Sequence, residues 1–317
     1  MAKTIALCSA ALSDPGRVRA ENQDRVFIDE ERGLFLVVDG LGGHAAGEKA
    51  AEAAVQAIAD EIGNGTREAI SRAIAAANNR IFEEAASNDD WRGMACVLTL
   101  AVFADDGVIV GHVGDSRLYL IWNGVIRKIT SDHSPVGERE DSGELTEAEA
   151  MVHPRRHEVF RDVGSRHRTA DEADFIEVKE FSLKPDAALL LCSDGLSDLV
   201  AADGMLAIVE RYDGDPDAIV GQLIDAANAR GGTDNISAIF VAGQEFLGNA
   251  SPEAAEARER NAITKARDDV DDGEQAAAST SRLRRGLTAR GAFLIYGFIL
   301  GMTIALALSL ALRWPKP

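Results

Sequence analysis

The chain has 317 residues, 46% of them apolar, with a formal net charge of −19. That length holds one large domain or two small ones with a substantial core. The charge excludes nucleic acid as a partner, because a surface that neutralises phosphates must be basic, and an aromatic content of 5% leaves too few rings to stack bases. Cys8, Cys96 and Cys192 all sit in apolar runs without a CxxC spacing. They point to a reducing compartment and to buried, inert thiols at all three positions.

Residues 1–12 carry one lysine and a short apolar run, which reads as a first strand with no secretory signal. The apolar run 34–38 predicts a buried strand, and Asp39-Gly40-Leu41-Gly42-Gly43-His44 follows with no polar spacer. Alanine-rich helical spacing covers 46–62 and resumes at 66–86 after the Gly63-Asn64-Gly65 break. Strand patterns follow at 95–103, 108–113, 117–122 and 125–129, with Asp105-Asp106-Gly107 and Asn123-Gly124 as hairpin signals. This spacing predicts antiparallel sheets and not a regular βαβ alternation. The polar segment 134–167, with a short helix at 146–152, reads as a surface loop or flap. Strands at 174–181 and 187–192, helices at 203–211 and 216–230, and a last strand at 236–241 complete the folded part.

Residues 247–290 are rich in Ala, Glu, Asp and Arg and read as a solvated linker, with one helix plausible at 252–265. Residues 292–312 then carry no charge at all, so 291–312 is expected to cross a bilayer as a helix, leaving 313–317 as a short tail. Arg282, Arg284, Arg285 and Arg290 precede this span, against Arg313 and Lys316 after it. The positive-inside tendency places the N-terminal part in the cytoplasm, at the cell membrane. Gly297-x₃-Gly301 inside the span is a pattern for helix dimerisation, or glycines scattered in a membrane helix.

Five aspartates fall at element boundaries: Asp24, Asp39, Asp115, Asp194 and Asp234. A carboxylate at the end of a buried strand is costly unless something compensates it. An Asp-Gly or Asp-Asn taken singly is a turn residue, but five tied to apolar strands suggest convergence on a shared cation. Oxygen donors without a His or Cys cluster select Mg²⁺ or Mn²⁺ over Zn²⁺, and glycine at 40 lets a carbonyl approach a metal closely. Two rival chemistries fail on spacing. A cysteine-based phosphatase needs Cys-x₅-Arg, whereas Asp14, Val102 and Asp198 stand six residues past the three cysteines. Gly42-x₄-Gly47 imitates a phosphate-binding loop, but Glu48 occupies the place of the phosphate-gripping lysine.

Arg19-Ala20-Glu21-Asn22-Gln23-Asp24, Val38-Asp39-Gly40-Leu41-Gly42-Gly43-His44, Gly111-His112-Val113-Gly114-Asp115-Ser116-Arg117, Cys192-Ser193-Asp194-Gly195-Leu196 and Gly232-Thr233-Asp234-Asn235-Ile236-Ser237 occur in that order. With these motifs the chain resembles bacterial metal-dependent serine/threonine protein phosphatases of the protein phosphatase 2C family, over residues 1–246. The resemblance implies an α+β fold, a four-layer αββα sandwich with two central antiparallel β-sheets. It implies hydrolysis of phosphoserine and phosphothreonine on proteins by water held between two Mn²⁺ or Mg²⁺ ions, and a serine/threonine kinase as counterpart. Position by position, Asp39 would bridge both metals, the Gly40 carbonyl would complete the second, and Asp194 and Asp234 the first. Asp115 would hold a third, weaker ion with Asp194, Asp24 would act through metal-bound water, and Arg19 would grip the substrate phosphate. Leu41 stands where eukaryotic members place a general-acid histidine, which leaves His44 as the general acid or as a hydrogen-bonding residue of the turn. Gln23 replaces an acidic residue of some members, and Thr130-Ser131-Asp132-His133-Ser134 resembles the entry to the family's flap. The alternative is a membrane-anchored pseudophosphatase that binds phosphoproteins as a scaffold; aspartates at all five positions argue against it.

Overall fold

The computed structural model describes residues 7–42, 46–63, 65–104 and 107–248. His44, most of the linker, and the expected span with Gly297 and Gly301 lie outside the described residues. Among the described residues no helix is long and apolar enough to cross a membrane.

In chain order the strands are β1 (Leu7–Asp14), β2 (Arg25–Asp29), β3 (Leu34–Leu41), β4 (Ala95–Ala104), β5 (Gly107–Val113), β6 (Arg117–Trp122), β7 (Val125–Lys128), β8 (Glu177–Ser182), β9 (Ala188–Cys192) and β10 (Ile236–Gly243). The helices are α1 (Ala46–Glu61), α2 (Arg67–Ser87), α3 (Pro135–Asp141), α4 (Glu147–Met151), α5 (Asp194–Ser197), α6 (Ala202–Val209) and α7 (Pro216–Ala229). One five-stranded sheet runs β1-β10-β9-β6-β7 and the other β2-β3-β4-β5-β8. Every pairing in both is antiparallel.

Period-two side-chain alternation explains why the central strands carry apolar residues toward both faces. In β3, Leu34, Leu36 and Val38 join the core shared with α1 and α2. Phe35 and Val37 of the same strand point the other way, into a core that also takes Leu189, Leu191, Ile239 and Val241 from the second sheet. That second sheet turns its alternate residues, Leu190, Cys192, Ala238 and Phe240, toward α6 and α7. Three apolar layers therefore separate helices, sheet, sheet and helices, the expected αββα sandwich. Alanines at 50, 51, 54 and 57 make the buried face of α1, so this helix approaches the sheet closely.

Local chemistry sets the element boundaries. The Thr66 side chain accepts from the Ala69 N–H at the start of α2, and Thr146 with Glu149 closes a capping box on α4. Asn123 and Gly124, with φ of 52° and 68°, form the two-residue turn between β6 and β7.

Some elements differ from the sequence-based expectation. Strand β2 follows Asp24 but has no apolar run to mark its extent, because it is an edge strand with every residue half-buried and two of its five residues charged. Helix α3 lies in the polar segment, started by Ser134 as N-cap and Pro135 in the first turn. Asp39 is not past the end of its strand, since β3 continues through Leu41. Cys8 is exposed and not buried, because it lies near the start of β1, the outer strand of its sheet, where packing around it is incomplete; Cys96 and Cys192 are buried as expected.

Phe240 is fully buried in the α6/α7 core, edge-on to Tyr212 at 5.4 Å. Phe240→Ala is expected to cost about 3–5 kcal/mol, read as a lower urea midpoint with an unchanged denaturant slope.

Candidate active site

Antiparallel register brings one end of each sheet to the same place. In the first sheet, Arg117 pairs with Cys192, Cys192 with Ala238, and Ala238 with Leu12. That row sets the end of β9, the start of β10 and the end of β1 side by side. In the second, Arg25 faces Val38, Val38 faces Leu98, and Leu98 faces Val113. The start of β2, the end of β3 and the end of β5 therefore share an edge. Asp24, Asp39, Asp115, Asp194 and Asp234 lie on or beside these strand ends.

Electrostatics shows that the five form one group. Burial pushes Asp39 well above the usual carboxylate range, and the charges of Asp24, Asp194, Asp115 and Asp234 push the same way. Asp24, 2% exposed, is raised by burial to about 7, although the Ser193 hydroxyl donates to its Oδ2 at 2.8 Å. Asp115, 8% exposed, is raised well above its ordinary value by burial, then by Asp194 and Asp132. Asp234 is raised by burial and by Asp194, while Arg19 opposes the shift through a 2.8 Å ion pair between its Nη2 and Asp234 Oδ2.

Gly40 and Gly114 are held by sterics as well as by position. A Cβ at Gly40 would collide with the Gly47 carbonyl and crowd that of Gln23. Gly114, at φ +112°, packs against Val97 with no room for a side chain. His133 clamps this turn from both sides: its N–H donates to the Gly114 carbonyl at 2.6 Å, and the Gly114 N–H donates to its Nδ1 at 3.0 Å. Burial, with His112 and Arg161 adding to it, pushes His133 down to about 2, so the ring stays a neutral acceptor.

Sequence reasoning did not find the flap's contribution. His157 Nδ1 lies 3.5 Å from Asp194 Oδ2 and 3.6 Å from Asp198 Oδ2, and Arg156 Nε donates to Asp198 Oδ2 at 2.9 Å. The hydrogen bond to Asp194 raises His157 above its ordinary value, while burial raises Asp198 to about 7. Asp198 was legible in principle, one helical turn after Asp194; His157 had no local signal, because only the flap's path brings it here. The base of the flap is pinned by Arg117, whose guanidinium reaches Asp132 at 2.6 Å and Glu140 at 2.8 Å.

The carboxylate patch fits divalent cations. Its donors are hard oxygens, Asp194 Oδ1 is buried without a hydrogen-bond partner, and the acids raise one another's pKa values. His157, Asp194 and Asp198 place one ligand atom each within 4.8 Å of one another. Asp39, Asp115 and Asp234 all lie close enough to Asp194 for its charge to raise them.

A pH dependence follows. Asp24 and Asp198 retain protons in the folded state that the unfolded chain has lost above the ordinary carboxylate range. With chelator present, stability is therefore expected to fall as pH rises from that range toward about 7. Mn²⁺ should flatten this slope. Asp39→Asn should raise metal-free stability by about 1 kcal/mol or more, the worth of one pK unit, and remove most of the Mn²⁺ increment. Urea unfolding across pH, with and without metal, checks all three.

Comparison with known proteins agrees with this geometry. A family model described as Protein phosphatase 2C matches residues 17–214. The serine/threonine phosphatase stp of Listeria monocytogenes is 34% identical over 253 residues, covering 72% of this chain and 93% of that protein. The crystal structure of the Mycobacterium tuberculosis serine/threonine phosphatase PstP/Ppp is similar with a TM-score of 0.67 at 32% identity, over 75% of this chain and 99% of that one. The catalytic domain of PstP in complex with 2 manganese ions gives a TM-score of 0.64 at 32% identity, over 74% and 97% of the two chains. On the strength of this match, and with its acidic strand ends gathered into one patch, the chain belongs to the protein phosphatase 2C family of metal-dependent enzymes and is a protein serine/threonine phosphatase.

Proposed function

We propose that this chain hydrolyses phosphoserine and phosphothreonine on proteins at the carboxylate patch, using two Mn²⁺ or Mg²⁺ ions and a third, weaker one. The observation that carries this reading is the mutual destabilisation of Asp24, Asp39, Asp115 and Asp234 around Asp194, a charge excess that calls for cations. Asp39, the Gly40 carbonyl, Asp194 and Asp234 would hold the first two ions, and Asp115 with Asp194 the third. Bound there, the cations supply Lewis acidity that makes water nucleophilic at neutral pH.

The remaining roles fall to the chain's own groups. Arg19, with a side chain 54% exposed at the rim of the patch, offers a planar fork that suits a tetrahedral phosphate. Its bond to Asp234 keeps it aimed at the patch until substrate arrives. Asp24 is buried and held by Ser193, so it orients water and does not touch substrate. His44 is the candidate to protonate the leaving serine or threonine oxygen.

The test is turnover of a phosphothreonine peptide by the metal-stripped full chain. Activity should appear on adding Mn²⁺ or Mg²⁺, and should fall on the order of 10³-fold or more in Asp39→Ala. A folded protein that binds Mn²⁺ but never turns over would replace this reading with the phosphoprotein-binding scaffold.

The same proposal tethers the enzyme at the cell membrane through 291–312, facing the cytoplasm, where it would oppose a serine/threonine kinase. An uncharged 21-residue stretch behind four arginines supports it, and Gly297 and Gly301 would bring two such anchors together. In cells, the full chain is expected to stay in the membrane pellet after alkaline carbonate washing, while a chain lacking 291–312 moves to the supernatant. Release of both by carbonate would sink the anchor.

A further inference from the structure

The loop that presents Arg19 has little of its own to hold it. Residues 17–21 are all exposed and belong to no helix or strand. An arginine on such a loop would lose much of its phosphate affinity to the entropy of being ordered. The loop nevertheless has a defined path, and one buried side chain accounts for most of it.

Asn235, 6% exposed, spends its whole amide on this loop. Its Nδ2 donates to the Pro15 carbonyl at 3.1 Å and to the Glu21 carbonyl at 2.8 Å. Its Oδ1 accepts from the Gln23 N–H at 2.9 Å. These three anchors bracket Arg19 on both sides. Secondary staples lie at the same edge: the Arg17 N–H donates to the Gly232 carbonyl at 2.7 Å, and Asn228 Nδ2 donates to Asp14 Oδ1 at 3.1 Å. Gly16 takes φ +79° and has no room for a side chain against the Asp234 carbonyl, so the loop lies directly on the backbone that Asn235 belongs to. The Asn235 amide touches none of the five aspartates' side chains; only its backbone N–H does, donating to Asp234 Oδ1 at 2.8 Å.

We infer that Asn235 is a positioning residue for phosphate binding: its side chain fixes the 15–23 loop so that Arg19 stands preorganised over the carboxylate patch. The aspartamide shape is what the task requires. Two donors are needed for two carbonyls and one acceptor for an N–H, and only a short planar amide supplies all three at one buried point. Because this rests on Arg19 gripping the substrate phosphate, the experiment separates the two ideas.

Full-length wild type, Arg19→Ala, Asn235→Ala and the double variant are compared with Mn²⁺ on a phosphothreonine peptide, and the affinity of each Mn²⁺-loaded protein for inorganic phosphate is measured by calorimetry. Asn235→Ala is expected to raise KM and weaken phosphate binding about tenfold, with kcat within about threefold and an unchanged Mn²⁺ midpoint in thermal unfolding. The double variant should be no worse than Arg19→Ala, since a side chain that acts through Arg19 has nothing left to position. Asn235→Ser, which keeps a polar atom at the site but cannot span three anchors, carries the same expectation should the alanine variant not fold. Effects of the two substitutions that multiply, or a shifted Mn²⁺ midpoint, would place Asn235 in the metal site and overturn the inference. So would an unchanged phosphate affinity in Asn235→Ala beside a weakened one in Arg19→Ala. If Arg19→Ala itself leaves phosphate affinity unchanged, the arginine grip fails first and the inference with it.

Discussion

Repulsion among desolvated carboxylates is the constraint around which this protein is organised. Asp24 and Asp115 are buried, Asp39 is flanked by four other acids, and Asp194 keeps a buried oxygen without a partner. A fold seeking only stability would keep these side chains in water. Here they are fixed to the ends of β-strands, where they cannot move apart, and divalent cations relieve the strain.

The sandwich is what keeps the acids together. Each central strand is packed on both faces, with Leu36 toward the helices and Phe35 toward the other sheet. Such a strand has no free face on which to relax. Gly40 then lets its strand lie against the backbone of Gly47 and Gln23, and Gly114 lets its turn pack closely on the Val97 side chain. His133 adds a polar clamp on the Gly114 turn, and burial keeps its ring neutral over any working pH.

Basic side chains meet the patch from two directions. Arg19 comes from an exposed loop stapled by Asn235, while Arg156 and His157 come from the flap and reach Asp194 and Asp198. The flap is tied down at both ends. Arg117 holds Asp132 and Glu140 at its entry, and at its exit the Phe160 N–H donates to the His133 carbonyl and Val163 bridges to Cys96. Between these ties its contacts to the patch are ionic and partly exposed, the kind that substrate phosphate or metal can replace at small cost.

Much of this was legible in the chain. Apolar runs that end in aspartate marked β3 and β9, Asn123-Gly124 marked its hairpin, and five ordered motifs carried the family and the patch. The sequence also placed an uncharged stretch at 292–312 that lies beyond the described fold. What it could not show depends on neighbours. Strand β2 carries too many charges to read as a strand and exists because β3 offers an edge to pair with. Cys8 sits in an apolar run yet is exposed, since its strand lies at the edge of the sheet. Asp198 and His157 meet from 41 positions apart, and the Asn235 amide reaches residues more than 200 positions away. Side-chain type and local period determined which residues would be strands and which would bear charge; only the tertiary structure decided which charges meet, because that is set by the register of two sheets and not by any local property of the chain.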